Sequence, residues 1–79
     1  MANYTPEQQK YLTQVGSNIR RIRLEFDISQ EELAIRAGLD RTYIGAVERG
    51  ERNISLLNFA KIAKALGFSP SEILAAKAD

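Results

Sequence analysis

Cysteine is absent from this chain, which excludes a disulfide framework and a thiolate metal site. Histidine is absent too, removing the commonest metal ligand and the commonest general base. No apolar run approaches the roughly 20 residues that would span a bilayer, and the opening MANYTPEQQK lacks a signal-peptide core. No phosphate-cradling glycine loop, nucleophile elbow or metal-ligand spacing occurs. These absences argue against a metalloenzyme, a nucleophilic hydrolase and a membrane protein. A soluble cytoplasmic protein with no metal, no cofactor and no membrane partner is expected. Excess charge is also scarce: eleven basic against ten acidic residues leave a net charge of +1. That sum taken alone does not point to a nucleic-acid partner. The distribution says more, because all the arginines lie between Arg20 and Arg52. Arginine suits forked contacts with phosphates and with guanine edges.

What is present is an ordinary globular composition, 44% apolar and 27% charged in 79 residues, expected to form one domain over 1–79 around a single core. Five helices and no strands are expected. Helix 1, about 6–26, starts with Thr5 as cap, Pro6 in the first helical position and Gln8 completing a capping box. Leu12, Val15, Ile19, Ile22 and Phe26 follow in steps of three and four, one apolar stripe. Asp27 and Ile28 fall in the break. Helix 2, about 30–37, has Ser29 as cap with Glu32 reaching back. Leu33, Ala34 and Ala37 face inward, and Gly38 ends it. Helix 3, about 41–49, is capped by Asp40 and anchored by Ile44 and Val47. Helix 4, about 56–66, is capped by Ser55, with Leu56, Phe59, Ile62, Ala63 and Leu66 inward. Helix 5, about 70–76, follows Ser69, with Glu72 in a further capping box and Ile73 and Leu74 as its apolar residues. Residues 75–79 are expected to fray. Short loops between short helices give an all-α, compact five-helix bundle.

Two short helices joined by Gly38-Leu39-Asp40 make a helix-turn-helix, in which the second helix enters the DNA major groove. With Ile44 and Val47 inward, Arg41, Thr42, Tyr43, Gly45, Ala46 and Arg49 are left outside. Small residues at 45 and 46 suit a helix pressed into a groove about 12 Å wide. Arg41 suits a guanine, Thr42 or Ala46 a thymine methyl, and Arg49 and Arg52 suit phosphates or outer bases. An arginine-bearing solvated face and a glycine turn are also common in proteins that bind no DNA, so spacing alone leaves both readings open.

The run SQEELAIRAGLDRTYIGAVERG resembles the XRE/Cro/C1-type helix-turn-helix family, which includes the phage repressors. The likeness extends from Gly16 to Leu74, through Ile19, Ile22 and Arg23, then Gly38, Ile44, Glu48-Arg49-Gly50 and Ile62-Ala63-Ala65-Leu66-Gly67. The segment LDRTYIGAVERGERNIS is similar to the controller proteins of bacterial restriction–modification systems, with Gly45 standing where serine is expected. The resemblance implies a lambda-repressor-like DNA-binding domain. It places Arg41, Thr42, Tyr43 and Ala46 over bases. Arg49, Arg52 and Asn53 fall on the backbone or outer bases, and Gln30 on a phosphate while bracing the recognition helix. Arg23 and Glu48 match a structural ion pair that serves the fold. Glu31 is a candidate contact for RNA polymerase. Glu31 and Glu32 together suit the helix dipole better than acid–base chemistry. Arg20 and Arg21 fit a solvated face or an approach to phosphates.

A single recognition helix reads too few base pairs for operator specificity. A homodimer on a palindromic double-stranded operator doubles the readout, with half-sites about 34 Å apart. Ile54, Leu57, Phe68, Ile73 and Leu74 are the candidate dimer interface, the alternative being that helix 5 buries them within one subunit. With little chain left for an effector domain, no small-molecule effector is expected. Control by the protein's own concentration is expected, as in an autoregulatory circuit. The other readings are a phage-type repressor, an antitoxin-like regulator and a protein-interaction module that makes no use of DNA. Arg41 and Arg49 argue against the last of these. An enzyme is the weakest reading.

Overall fold

A computed structural model describes residues 3–76. Five helices make up its regular structure: α1 (Pro6–Glu25), α2 (Gln30–Ala37), α3 (Arg41–Glu48), α4 (Leu56–Leu66) and α5 (Pro70–Ala75). Each starts where a side-chain oxygen can take an orphaned N–H of the first turn. Thr5, Ser29, Asp40, Ser55 and Ser69 all do so. Thr5–Gln8 and Ser69–Glu72 are reciprocal capping boxes. The box expected at Ser29 is only half made. Ser29 accepts from the Glu32 N–H, but the Glu32 carboxylate turns away to pair with Arg36 one turn on.

α2 packs on α3 and α4, α1 on α3 and α5, and α4 on α5. Ile19, Leu33, Ile44, Ile62 and Ile73, all wholly enclosed, form the centre of the core with Ile22, Val47, Phe59 and Leu66 around them. Ile28 lies in the break between α1 and α2, as expected, and from there it joins the core. Several expectations are corrected here. Phe26 lies outside the α1 stripe: the helix ends at Glu25, Phe26 is its exposed cap residue, and its ring meets Phe68 edge-on at 6.0 Å. Leu56, expected inward, is exposed, and the first residue of α4 to enter the core is Phe59. Helices α3 and α5 stop one residue short of expectation, with Arg49 and Ala76 as caps. The fraying expected of the C-terminus concerns residues 77–79 outside the described residues, whereas Ala75 still belongs to α5.

Ile73 was expected in a dimer interface and is instead fully buried within its own subunit. The reason lies in α1. Asn18 is buried, and its Nδ2 donates to the carbonyls of Ile73 at 2.9 Å and Ala76 at 3.0 Å. Gln14 at 3.0 Å and Arg21 at 3.2 Å donate to the Asn18 Oδ1. A short helix whose final carbonyls have few partners of its own is thereby tied to α1, and Ile73 is turned inward.

Candidate nucleic-acid interface

The outward side of α3 depends on what grips its inward side. Ile44 and Val47 enter the core. Behind them α1 comes so close that a Cβ on Gly16 would stand 2.2 Å from the Val47 carbonyl oxygen and 2.7 Å from that of Glu48. Only glycine permits that approach. The end of α3 is fixed by Gln9, whose Nε2 donates to the Gly50 carbonyl at 2.9 Å and to Thr13 at 3.1 Å. Gly50 itself has φ 75°, and its Cα faces Thr13 with no room for a side chain.

A buried ion pair supplies the third grip. The Arg23 guanidinium donates through Nε and Nη2 to the two Glu48 oxygens, at 2.6 and 2.9 Å, and through Nη1 to the Ile28 carbonyl at 2.8 Å. Hydrogen bonding to Glu48 keeps the Arg23 charge even more firmly in place than is ordinary for arginine. Gln30, at the first position of α2, donates from Nε2 to Glu48 Oε1 at 3.1 Å. One carboxylate thus links α1, α2 and α3.

On the outer side, Arg41 and Thr42 are exposed at the start of α3, and the Thr42 N–H is satisfied by Asp40 at 2.7 Å. Tyr43 is half-buried. The Arg52 guanidinium lies 4.9 Å from its ring centroid, and its hydroxyl accepts from Asn58 Nδ2 at 3.3 Å. Ala46 is half-buried beside them, and Asn53 is exposed. Gly45, expected on the outward line, is buried, because Arg49 and Gln30 lie over it. A Cβ there would be 3.2 Å from Arg49 Nη1 and 3.5 Å from Gln30 Oε1. Arg49 is exposed but engaged, donating through Nε and Nη2 to the Glu51 carboxylate at 3.0 and 3.1 Å. That forked bond raises the Arg49 pKa and lowers that of Glu51. Glu31 is exposed near the start of α2, as is Arg20 on α1.

Of the residues considered for a subunit contact, Leu57 and Leu74 are exposed, and Ile54 and Phe68 are half-buried against the core. No three acidic side chains among the described residues come together as a metal site would require. Among those residues no helix is long and apolar enough to cross a membrane. Gln9, Asn18, Glu51 and Asn58 carry the geometry without having been singled out, while Gly50 was expected to end helix 3 and Gly16 was named only within the family likeness. For α1 a signal existed: Gln9, Thr13 and Gly16 repeat at steps of four and three, a polar and small stripe beside the apolar one.

The helix-turn-helix family profile matches residues 19–73. Control protein C.BamHI of Bacillus amyloliquefaciens is 52% identical over 60 residues, covering 75% of this chain and 74% of that protein. The crystal structure of the restriction–modification controller protein C.AhdI from Aeromonas hydrophila is similar with a TM-score of 0.77 at 48% identity, covering 78% of this chain and 94% of that one. The controller protein C.Esp1396I, solved as a tetramer in complex with its natural 35-base-pair operator, is similar with a TM-score of 0.75 at 40% identity, covering 81% of this chain and 88% of that one.

Proposed function

The chain belongs to the XRE-type helix-turn-helix family, and from that premise we propose that it is a sequence-specific transcriptional regulator of the restriction–modification controller class. It binds a palindromic double-stranded operator as a homodimer and regulates its own gene with those beside it. It acts in the cytoplasm by binding, with no catalytic step. One observation carries this reading. The face of α3 bearing Arg41 and Thr42 is left uncovered by the rest of the chain, while its opposite face is held at Gly16, at Glu48 and at Gly50. A helix presented rigidly with its arginine-bearing N-terminal turn free is arranged to enter a groove.

In this reading Arg41 forks onto a guanine, and Thr42, Tyr43 and Ala46 lie over neighbouring bases. Arg49, Arg52 and Asn53 meet the backbone or outer bases. Gln30 meets a phosphate, and its hydrogen bond to Glu48 sets its direction. Glu31, exposed in the first turn of α2, is available to RNA polymerase. The likeness to control proteins, one of them solved on its operator, supports the assignment.

Footprinting the DNA upstream of the gene, with a salt titration, tests it. Protection of a pseudo-palindrome with half-sites about 34 Å apart is expected. Arg41→Ala is expected to cost about 1–3 kcal/mol of binding and to relax the preference at one base pair. Gln30→Ala is expected to weaken all sequences alike. Protection that ignores sequence, or none, would overturn the reading.

A further inference from the structure

Arg49 and Glu51 flank Gly50, whose left-handed backbone, φ 75°, turns the chain just past the recognition helix. Residue 51 is thereby returned beside residue 49. The Glu51 oxygens take the Nε and Nη2 hydrogens of Arg49 at 3.0 and 3.1 Å. The remaining nitrogen, Nη1, lies over Gly45, 3.2 Å from where a Cβ would be. One edge of the guanidinium, Nε with Nη2, is therefore committed in the free protein. A carboxylate offers arginine the same planar pair of acceptors as two phosphate oxygens do.

We infer that Glu51 is an internal stand-in for phosphate, competing with DNA for Arg49 and so holding down the affinity of each subunit. The inference rests on the DNA-binding reading above. Three features carry it. The pair is local and more than half exposed, so it contributes little to the fold and exchanges readily. It occupies the Nε–Nη2 edge, one of the two on which a guanidinium can take a phosphate in a fork. Glu51 is also followed directly by Arg52 and Asn53, which the same reading assigns to the DNA. The raised pKa of Arg49 and the lowered pKa of Glu51 agree with two full charges held together.

The consequence is a toll on binding driven by charge alone. When α3 docks, Arg49 leaves Glu51 for the DNA, and the forked bond between them is lost. The alternative is that the pair stays closed and one phosphate contact is forgone. Either course weakens binding once per subunit, so twice in a dimer. A regulator whose occupancy must follow its own concentration gains from such restraint, since random DNA then captures less of it.

The test compares Glu51→Gln with the unchanged protein, on operator and on random-sequence duplex, across a salt series. Glutamine keeps the size of the side chain and removes the charge. Affinity is expected to rise on both duplexes, by about tenfold for the dimer near physiological salt. The log–log salt slope on random duplex is expected to steepen by about 2, one phosphate per subunit at about −0.9 each. In an Arg49→Ala background the same substitution is expected to change neither quantity. An unchanged affinity and slope for Glu51→Gln, with the parent protein binding its operator normally, would overturn the inference alone. Gains that persist without Arg49 would also overturn it, since they report simple repulsion. If the parent protein binds no duplex, the DNA-binding reading falls and takes this inference with it.

Discussion

Arg23 and Glu48 sit in different helices, 25 residues apart, and each is less than a tenth exposed. Two charges taken from water need every hydrogen bond they can make. Arg23 makes three, and Glu48 accepts three, one of them from Gln30. Arg23→Met leaves a buried carboxylate with only an amide for company. The expected loss is about 3–5 kcal/mol, a large part of the total that a small domain has. Arg23→Met with Glu48→Leu is expected to be more stable than the single variant, because no charge is stranded. It stays below the parent, since the Ile28 carbonyl and the Gln30 amide lose partners. Urea unfolding followed by circular dichroism gives the order, and a double variant no better than the single one would contradict it. Neither residue is legible as a pair from periodicity, because no local spacing rule connects positions so far apart. Family resemblance named them, and only the fold shows the third arm through Gln30.

At the scale of the helices, the starts were the most legible feature, because a cap and the N–H it satisfies lie within three residues of each other. The same locality explains the failure at Glu32. From sequence it suits both a capping box and an ion pair with Arg36, and the competition is settled by geometry. Contacts between helices were the least legible. The stripe of Gln9, Thr13 and Gly16 is visible along α1, but nothing in its spacing says that Gly16 touches the backbone of α3. Gly45 reads as a groove-facing residue, yet its neighbours cover it. The two glycines should therefore answer differently to alanine. Gly16→Ala puts a methyl group against fixed carbonyl oxygens, and the helices must separate. A loss of about 1–3 kcal/mol or more is expected, with weaker operator binding even where the variant is still folded. Gly45→Ala meets only the ends of the flexible Arg49 and Gln30 side chains, which can shift by a few tenths of an ångström. It is expected to gain up to about 1 kcal/mol from helix propensity. Thermal unfolding of the two variants side by side checks this, and equal responses would show that the α1–α3 approach is not tight.

For the whole molecule, the proposed dimer needs a surface on which two copies meet. Sequence alone groups Ile54, Leu57, Phe68, Ile73 and Leu74 together, because hydrophobicity does not distinguish a core from an interface. Within the fold they separate. Ile73 closes the core, Ile54 and Phe68 lean on it, and Leu57 and Leu74 stand exposed on α4 and α5, which pack on each other. In a two-fold dimer each interface residue counts twice. Burying one leucine contributes about 1.5–3 kcal/mol, so a symmetric pair contributes about 3–6 kcal/mol. Leu57→Glu removes that pair and sets two like charges together. The dimer dissociation constant is expected to rise by about 100-fold or more. Sedimentation should then give monomer at micromolar concentration, with helical content unchanged because Leu57 does little for its own subunit. Operator affinity should fall with it, since half-sites are then filled one at a time. Ile35→Glu is the matching control. Ile35 is as exposed as Leu57, at 75%, but it lies on α2 rather than on α4 or α5. Glutamate there should leave sedimentation alone. If both substitutions leave the dimer intact, the subunits meet elsewhere. If only Ile35→Glu breaks it, the pairing runs through α2, beside the recognition helix itself.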